Sequence, residues 1–202
     1  MKSAEEGPPL FRLRMSKEVV LDIETDGLIG PNGAMPKITL IGVYYYETDE
    51  YVSYLEHELP NLWPRLERAD RIIGYNTKGF DYPVMNSYYA GDFMKFPSLD
   101  LLEEITASLG FRLKLDSVAA ATLGYGKTGH GLQALEYFRK GELDKLRDYC
   151  LQDVKVTKEV YEHGLQHGHV FYHDRAGQKK PVKLNLRMPD SKANPINLTM
   201  PF

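Results

Sequence analysis

The sequence predicts an α/β fold, with one mixed β-sheet flanked by helices and a β-hairpin near the C-terminal end. After an N-terminal segment of 17 residues, apolar, β-branched and aromatic runs come first. Apolar runs then alternate with helical patterns, and helical patterns dominate until the last segment. This order is the one expected of a sheet covered by helices. A length of 202 residues suits one well-buried domain.

The strands are predicted from short segments with strand-like composition. EVVLDIE (18–24) is a buried apolar run, KITLIGVYYYE (37–47) is β-branched and aromatic, and EYVSYLE (50–56) alternates. RIIGYN (71–76) is another short apolar run. The segment 169–188 predicts two strands around a turn that contains a glycine, and this is the C-terminal hairpin.

The helices are predicted from segments in which apolar residues recur with helical spacing. They are PNLWPRLERAD (60–70), FDYPVMNSYYA (80–90), SLDLLEEITASL (98–109), KLDSVAAATLG (114–124) and one long segment (131–168). Most of the second half of the chain is therefore expected to be helical.

The overall composition limits the kinds of function. A net charge of −3 does not favour a protein that grips duplex nucleic acid over many phosphates. No apolar run approaches the roughly 20 residues of a membrane helix, and the start of the chain lacks a signal-peptide core. A cytoplasmic protein without a membrane partner is therefore expected. Cys150 is the single cysteine, which excludes an internal disulfide bond.

Basic residues are concentrated towards the C-terminus. Between residues 170 and 192 the only acids are Asp174 and Asp190. The basic residues there are Arg175, Lys179, Lys180, Lys183, Arg187 and Lys192. This hairpin is either a surface that contacts an anionic substrate or a solvated edge protected by lysines. We divide the chain into an N-terminal extension (1–17), a main domain (18–167) and a basic hairpin and tail (168–202).

Acidic residues crowd the end of the first predicted strand, in VVLDIETDGLIG (19–30). Asp22 and Glu24 are two residues apart, so they point to the same face of a strand. Two close carboxylates repel each other unless a cation lies between them, and Mg²⁺ prefers such oxygen ligands. The pair indicates half of a metal site, with a solvated strand end as the alternative.

Two further segments place acids in comparable positions. Asp81 follows a strand-like run in IIGYNTKGFDYPVM, although a helix dipole alone would also favour an acid at this helix start. Tyr149 and Asp153, in RDYCLQDVKVTKEVY, are four residues apart and share one helix face. Apolar neighbours indicate that this helix is partly buried, and a buried acid needs a partner. The alternative is a core tyrosine and a solvent-facing acid.

Taken together, DIETDGL, YNTKGFDYP and YCLQDV resemble the motifs of the DEDD superfamily of 3'-to-5' exonucleases, which has an RNase H-like fold. The tyrosine four residues before the last aspartate is similar to the tyrosine subgroup. The connecting segments SLDLLEEI and LKLDSVAAATLG are also similar to the proofreading domains of family B DNA polymerases and to stand-alone or helicase-fused RNase H-like exonuclease domains. The resemblance covers roughly residues 18–165.

The resemblance implies a catalytic site with two divalent metal ions, Mg²⁺ or Mn²⁺. Asp22, Glu24 and Asp153 would bind one ion, Asp22 would also bridge to the second, and Asp81 would assist from the outer shell. Such ions, about 3.5–4 Å apart, stabilise the attacking and leaving oxygens of an in-line displacement. Tyr149 would orient the attacking water, because a tyrosine hydroxyl is a poor general base at neutral pH.

The resemblance also implies substrate contacts. The backbone near Thr25 would meet the terminal 3'-OH, and Asn76 would contact the substrate or hold its loop. Leu28 would pack under the last base, with ordinary core packing as the alternative. Further candidates for substrate contacts are Lys78, Phe80 and Lys127.

The implied activity is that of a metal-dependent 3'-to-5' exonuclease. It would release 5'-mononucleotides from single-stranded or frayed nucleic acid, with DNA favoured over RNA. A separate polymerase or helicase is the protein partner that the resemblance suggests. One alternative is a non-catalytic nucleic-acid or protein-binding module that retains the fold. Another is a metal phosphohydrolase that acts on small nucleotides.

Two other patterns carry weaker chemical meaning. His163 and His167 have a spacing that can bind zinc, and His169 and His173 are close in sequence. No glutamate lies between His163 and His167 and no cysteine is close in sequence, and histidines near a helix C-terminus also complement its dipole. The glycines of LGYGKTGHG (123–131) do not follow the phosphate-loop pattern, so we expect a flexible loop near the rim of the site.

Overall fold

The computed structural model describes residues 16–126 and 131–186, with the backbone alone at residues 131 and 132. Its main sheet has five strands in the order β3-β2-β1-β4-β5, and a separate hairpin pairs β6 with β7. The strands are β1 (Glu18–Thr25), β2 (Ile38–Tyr45), β3 (Glu50–Leu55), β4 (Arg71–Gly74), β5 (Ser98–Asp100), β6 (His169–His173) and β7 (Lys179–Lys183).

The sheet is mixed, as the sequence predicts. β1 lies at its centre, antiparallel to β2 and parallel to β4, while β2–β3 is antiparallel and β4–β5 is parallel. Central strands with both faces covered are apolar along their whole length. Every residue of β2 and β4 is accordingly buried. β1 departs from this pattern only at the end where its acids lie.

Helices cover both faces of the sheet. They are α1 (Leu59–Leu66), α2 (Tyr82–Met85), α3 (Leu101–Leu109), α4 (Leu115–Leu123), α5 (Gly131–Arg139) and α6 (Leu143–His167). Short 3₁₀ segments span Glu56–Glu58 and Phe93–Lys95, and a π-helical turn spans Thr77–Asp81. Within the described residues, no helix is both long and apolar enough to cross a bilayer.

Three predicted segments differ from the structure. Residues 98–100 form strand β5, because their pairing with β4 overrides the helical pattern that follows. The helix expected over 80–90 is a π-helical turn followed by the four-residue α2. The long helix expected over 131–168 is two helices, separated at Gly141, whose φ of 71° is left-handed.

The alternation of side chains along β1 divides the core. Val19, Leu21 and Ile23 pack with α1 and α2 on one side of the sheet. Val20 packs on the other side, with α4, α6 and the hairpin. Because Asp22 and Glu24 follow Val20 at two-residue steps, they share the face covered by α6.

Helix α6 lies close to the sheet because β2 has a glycine beneath it. A Cβ atom at Gly42 would lie 2.8 Å from Cys150 Sγ and 3.0 Å from Val154 Cγ2. Gly42 is the register partner of Asp22. Its missing side chain therefore lets α6 approach β1 beside the acids.

The opposite end of β1 is held by a buried ion pair. Arg71 Nε donates to Glu18 Oε1 at 2.8 Å, and these residues are register partners on β4 and β1. The Tyr161 hydroxyl, from α6, donates to Glu18 Oε2 at 2.8 Å and accepts from Arg71 at 2.6 Å. Arg71 also donates to the carbonyl oxygen of Leu186 at 3.2 Å, which follows the hairpin. The network joins two strands, α6 and the C-terminal segment.

The hairpin packs on the main core. Val170, Val182 and Leu186 are buried in the cluster that contains Val20 and Tyr161. Thr122, at the end of α4, also accepts a 2.9 Å hydrogen bond from the backbone amide of Phe171. Within residues 16–186, the hairpin is therefore part of the same packing unit as the sheet.

Candidate active site

The first element of the site is the C-terminal end of β1. Asp22 and Glu24 are partly exposed here, while Ile23 between them is buried on the other face. The ladder with β2 becomes irregular between Glu24 and Thr25. The chain then leaves the sheet, so the two carboxylates stand at an edge that solvent can reach.

Asp26 lies outside this pair and has a structural role. Its backbone amide donates to the carbonyl of Lys37 at 3.0 Å, and its Oδ1 accepts from the Lys37 amide at 2.8 Å. These bonds close the loop of residues 27–36 at its base. Asp26 therefore holds a loop and does not join Asp22 and Glu24.

The second element is the turn that carries Asp81. It starts at Asn76, whose φ of 68° is left-handed and tolerable for asparagine. The Asp100 carboxylate accepts from the backbone amides of Asn76 and Lys78, at 2.8 and 3.1 Å. It also caps α3 through the Leu102 amide at 2.9 Å. Asp100 thus fixes the position of the turn relative to the sheet.

A glycine permits this turn to pack against β1. A Cβ atom at Gly74 would lie 2.2 Å from Thr77 Cγ2 and 3.0 Å from the carbonyl oxygen of Leu21. No side chain fits at that position without moving the turn. Gly74 therefore brings Asp81 next to Asp22.

Asp81 is buried, with 5% of its surface exposed, and its ionisation is disfavoured. Burial raises the pKa of the Asp81 carboxyl well above its ordinary value, and the Asp22 and Asp100 carboxylates raise it further. Hydrogen bonds from the backbone amides of Asp81 and Ile23 oppose the increase. The hydrogen bond from the Ile23 amide places the Asp81 carboxyl beside the end of β1.

The third element is the middle of α6. Asp153 is buried, with 3% of its surface exposed, and Tyr149 lies one turn earlier. The Tyr149 ring packs against a cluster that contains Leu40, Ala134 and Cys150. Leu40 is the register partner of Glu24, so Tyr149 lies near the end of β1 that carries the acids.

Cys150 lies among the acids, and the sequence interpretation did not include it. Its Sγ atom and carboxylate oxygens of Asp22 and Glu24 all lie within 4.8 Å of one another. Burial raises the pKa of the Cys150 thiol well above its ordinary value, and Asp22, Glu24 and Asp153 raise it further. The thiol donates a 3.7 Å hydrogen bond to the Asp22 carbonyl oxygen. Cys150 could have been found from the sequence, because it lies three residues before Asp153 and therefore on the same helix face.

Acidic side chains from β1, the Asp81 turn and α6 meet around Cys150 and the end of β1. Ligand atoms of Asp22, Glu24 and Cys150 lie within 4.8 Å of one another. Asp81 accepts a hydrogen bond from the Ile23 amide, and Asp153 is one of the carboxylates that raise the pKa of the Cys150 thiol. Carboxylates gathered at this density repel one another unless a cation lies among them. Oxygen-rich donor sets suit Mg²⁺ and Mn²⁺. The donor set therefore fits hard divalent cations.

Of the predicted substrate residues, Thr25 and Leu28 lie at and after the end of β1, and Asn76, Lys78 and Phe80 lie in the turn that carries Asp81. Thr25 Oγ1 donates to the carbonyl of Gly27 at 2.6 Å, which shapes the loop after β1. Leu28 is 84% exposed, so ordinary core packing, the alternative considered for it, is wrong. Phe80 is partly buried against the core on the α1 side of the sheet. Lys127 lies outside the described residues.

An open groove of about 290 Å³ adjoins the turn that carries Asp81. Asn76 and Lys78 line it together with Arg112 from the segment before α4. Arg112 donates to Asn76 Oδ1 at 2.6 Å, and Lys78 forms an ion pair with Glu103. The groove therefore carries two cationic side chains and two acidic ones, Asp100 and Glu103, and Arg112 was not among the predicted contacts.

Comparison with known proteins relates this fold to nucleic-acid enzymes. A family model of the RNase H superfamily matches residues 19–164. The structure is similar to the family B DNA polymerase from the hyperthermophilic archaeon Pyrobaculum calidifontis, with a TM-score of 0.59 and 18% identity over 74% of this chain and 24% of the polymerase. It is also similar to RNase D of Trypanosoma brucei, with a TM-score of 0.52 and 13% identity over 76% of this chain and 59% of RNase D. No curated protein sequence matches this chain significantly.

These comparisons confirm the predicted resemblance and the RNase H-like fold. The chain spans less than two thirds of the length of either solved relative. A nuclease-type function is supported by the family match. The two solved structures, at 18% and 13% identity, show the fold. From the match over residues 19–164, the chain belongs to the RNase H superfamily.

Proposed function

We propose that this protein is a metal-dependent 3'-to-5' exonuclease that removes 5'-mononucleotides from single-stranded or frayed ends. The observation that carries the proposal is the grouping of Asp22, Glu24, Asp81 and Asp153 around the end of β1. Such a group is costly to maintain without a ligand, because buried and adjacent carboxylates disfavour each other's ionisation.

The acids would hold the catalytic ions. When bound, divalent cations at Asp22, Glu24, Asp81 and Asp153 supply an activated water and stabilise the leaving 3' oxygen. Tyr149 orients the attacking water through its hydroxyl, from the helix turn before Asp153. Asp100 keeps Asp81 in place through the backbone of its turn.

The surroundings of the acids suit a single strand. Leu28, at 84% exposure in the segment after β1, offers an apolar surface to the terminal base. Lys78 and Arg112 line the adjoining groove and would bind backbone phosphates by exchanging their present partners, Glu103 and Asn76. The partly exposed position of Asp22 and Glu24 at a strand edge admits a chain end. A paired duplex end would have to fray first, because the acids of α6 and of the Asp81 turn are buried.

DNA is the favoured substrate because the three motifs resemble proofreading domains of DNA polymerases. The RNase D neighbour makes RNA the alternative to be tested in parallel. A separate polymerase or helicase remains the proposed partner. A non-catalytic binding module is disfavoured, because all four acids are retained and grouped.

The test is a degradation assay with 5'-labelled single-stranded DNA, single-stranded RNA and a recessed duplex, each with Mg²⁺ or Mn²⁺. We expect a ladder that shortens from the 3' end and disappears with a chelator. Asp22→Asn and Asp153→Asn should each lower the rate at least about 10³-fold, since removing a key catalytic electrostatic group has effects of this order. Asp26→Asn is the matched control, because Asp26 lies on the same segment but only closes a loop.

Two results would contradict the proposal. One is the absence of shortening on every substrate and with both ions. The other is equal activity of Asp22→Asn and the unchanged protein. Tyr149→Phe should lower the rate of the chemical step in single-turnover experiments while the Kd for the strand stays the same.

A further inference from the structure

A second group of metal-ligating side chains lies where α6 ends and β6 begins. His163 and His167 are one turn apart at the end of α6. Gly168 then adopts a left-handed φ of 73°, which reverses the chain and starts β6 at His169. The ring centroids of His163 and His167 are 4.3 Å apart, and that of His169 lies 6.1 and 6.2 Å from them. The chain reversal thus brings a third imidazole beside the helical pair.

Two of these rings, His163 and His169, each have a nitrogen atom that is available to bind a metal ion. His163 Nε2 is buried and has no hydrogen-bond partner within the described residues. His169 Nδ1 lies 2.8 Å from the carbonyl oxygen of His167. As a neutral ring it donates there, which leaves the Nε2 lone pair of His169 available. A ligating histidine commonly donates its other N–H to a backbone carbonyl in this way.

We propose that His163, His167 and His169 form a second metal site, separate from the carboxylate group, that takes a transition-metal ion such as Zn²⁺. Imidazole is a preferred ligand of Zn²⁺, and three histidines leave one position for water. The ion would satisfy His163 Nε2, which is otherwise a buried polar atom without a partner among the described residues.

The three rings have to move before they can share one ion. A Zn–N bond is about 2.0–2.1 Å and a ring centroid lies about 1 Å beyond its nitrogen, so tetrahedral coordination puts two ring centroids about 5 Å apart. The centroids of His163 and His167, at 4.3 Å, are slightly closer than this, and that of His169, at 6.1 and 6.2 Å from them, is further away. Among the described residues, only Asp22, Glu24 and Cys150 form a triad with ligand atoms already within 4.8 Å of one another. His167 is exposed, so its ring can rotate at little cost.

The electrostatics favour a nitrogen-bound ion over Mg²⁺. The end of α6 has the negative end of the helix dipole, which attracts a cation. Lys179, held over the Phe171 ring at 4.3 Å, and Lys183, the register partner of His169, oppose a cation. The two lysines therefore disfavour Mg²⁺, whose binding depends on charge attraction. They affect Zn²⁺ less, because its bonds to imidazole nitrogen do not depend on charge alone.

The test measures Zn²⁺ binding to the tag-free, full-length protein that carries Asp22→Asn and Asp153→Asn, so that the catalytic acids do not compete. Calorimetric titration at pH 7.5 should show one ion bound per chain. His167→Gln and His169→Gln should each weaken binding at least about 10-fold, as loss of one ligand or its orienting partner does. His57→Gln is the matched control, because His57 is exposed on a distant 3₁₀ turn. It should leave binding unchanged.

Two further readouts separate a specific site from surface binding. With ¹⁵N-labelled protein, one equivalent of Zn²⁺ should shift the imidazole nitrogens of His163, His167 and His169 but not those of His57. With Mg²⁺ and nucleic acid, His167→Gln should retain the activity of the unchanged protein, because the ring is not part of the carboxylate site. Absence of Zn²⁺ binding in the parent would overturn the proposal. Equal Zn²⁺ affinity in His167→Gln and His57→Gln would also overturn it. Binding of Zn²⁺ at Cys150 instead of the histidines would give this result.

Discussion

The Asp100 carboxylate accepts a 2.8 Å hydrogen bond from the backbone amide of Asn76, and so joins the start of α3 to the turn that carries Asp81. The same oxygen caps α3 through the Leu102 amide. One side chain therefore sets both the helix start and the position of Asp81, a proposed catalytic acid. Loss of an N-cap by itself costs about 1 kcal/mol.

Replacing Asp100 should consequently reduce activity more than a missing cap explains. We expect Asp100→Ala to lower the exonuclease rate about 10–100-fold, as loss of outer-shell partners does. Asp92→Ala is the matched control, since Asp92 caps the 3₁₀ turn at Phe93–Lys95 away from the acids. Rates are compared at a temperature where circular dichroism shows both variants folded. Equal rates in the two variants would remove the positioning role.

Asp81→Asn should stabilise the metal-free protein at neutral and alkaline pH. The pKa of the Asp81 carboxyl is raised in the folded chain, so its ionisation costs folding stability. Below the pKa that Asp81 has in the unfolded chain, the carboxyl is protonated in both states and costs no stability. As the pH rises from there through the higher pKa of the folded chain, folding stability is lost. The Tm advantage of Asp81→Asn, measured in EDTA between pH 5 and 9, should therefore grow with pH. Saturating Mg²⁺ should reverse the order of stability, because Asp81→Asn lacks one acid.

The control is Asp26→Asn, which removes an equal charge from an exposed site and should show neither effect. If Asp81→Asn is less stable than the unchanged protein in EDTA at pH 8, this account is wrong.

Gly42→Ala should destabilise the protein and lower its activity together. The added Cβ would lie 2.8 Å from Cys150 Sγ and push α6 away from β1. Overpacking of this kind costs about 1–3 kcal/mol. Urea denaturation should show that Cys150→Ala in the same chain recovers part of the stability, with the remaining deficit due to Val154. Gly27→Ala is the control for stability, since a Cβ there meets nothing within 4 Å. Strict additivity of Gly42→Ala and Cys150→Ala would contradict the contact.

Breaking the Glu18–Arg71 pair at one side should be severe. Either Glu18→Leu or Arg71→Met leaves a buried charge unpaired, which costs about 3–5 kcal/mol. The triple variant Glu18→Leu, Arg71→Met, Tyr161→Phe removes all three polar groups and should be more stable than either single variant. Equilibrium urea unfolding measures all three. A triple variant less stable than both singles would show that the network itself supplies the stability.

Neutralising the hairpin lysines should weaken strand binding. Lys179, Lys180 and Lys183 are exposed on β7. Changing all three to Gln, in the inactive Asp22→Asn, Asp153→Asn background, should raise the Kd for single-stranded DNA. The slope of log Kd against log salt should fall by about 0.7 for each phosphate that a lysine no longer neutralises. Changing Lys140 and Lys145 to Gln, at exposed ion pairs elsewhere, is the control. If the slope of log Kd against log salt does not change, the lysines do not contact the strand and only protect a solvated edge of the hairpin.

The sequence predicted the mixed sheet and the hairpin because these depend on local patterns. The i, i+2 spacing of Asp22 and Glu24 determines their shared face, and Val20 continues that face into the core. The role of Asp100 could not be predicted in the same way. It depends on a contact with Asn76 that is distant in sequence and exists only once β4 and β5 pair.

The errors have similar causes. β5 has three residues, which is too short for a pattern, and its strand geometry comes from β4. The break at Gly141 was missed because helical apolar spacing continues on both sides of it. The interpretation of α6 joined Tyr149 to Asp153 by a four-residue step. The three-residue step from Cys150, which shares the same face, was overlooked.

The hydrogen bond from Arg71 to the Leu186 carbonyl determines where this chain can be shortened or fused. A cut between α6 and β6 would open the core at Val160 and Tyr161 and remove one acceptor from a buried guanidinium. Such a fragment would lose solubility for reasons unrelated to nucleic acid, so its behaviour would say nothing about the basic hairpin. A boundary after Leu186 keeps the guanidinium satisfied, which makes that position the earliest safe C-terminal limit for engineering.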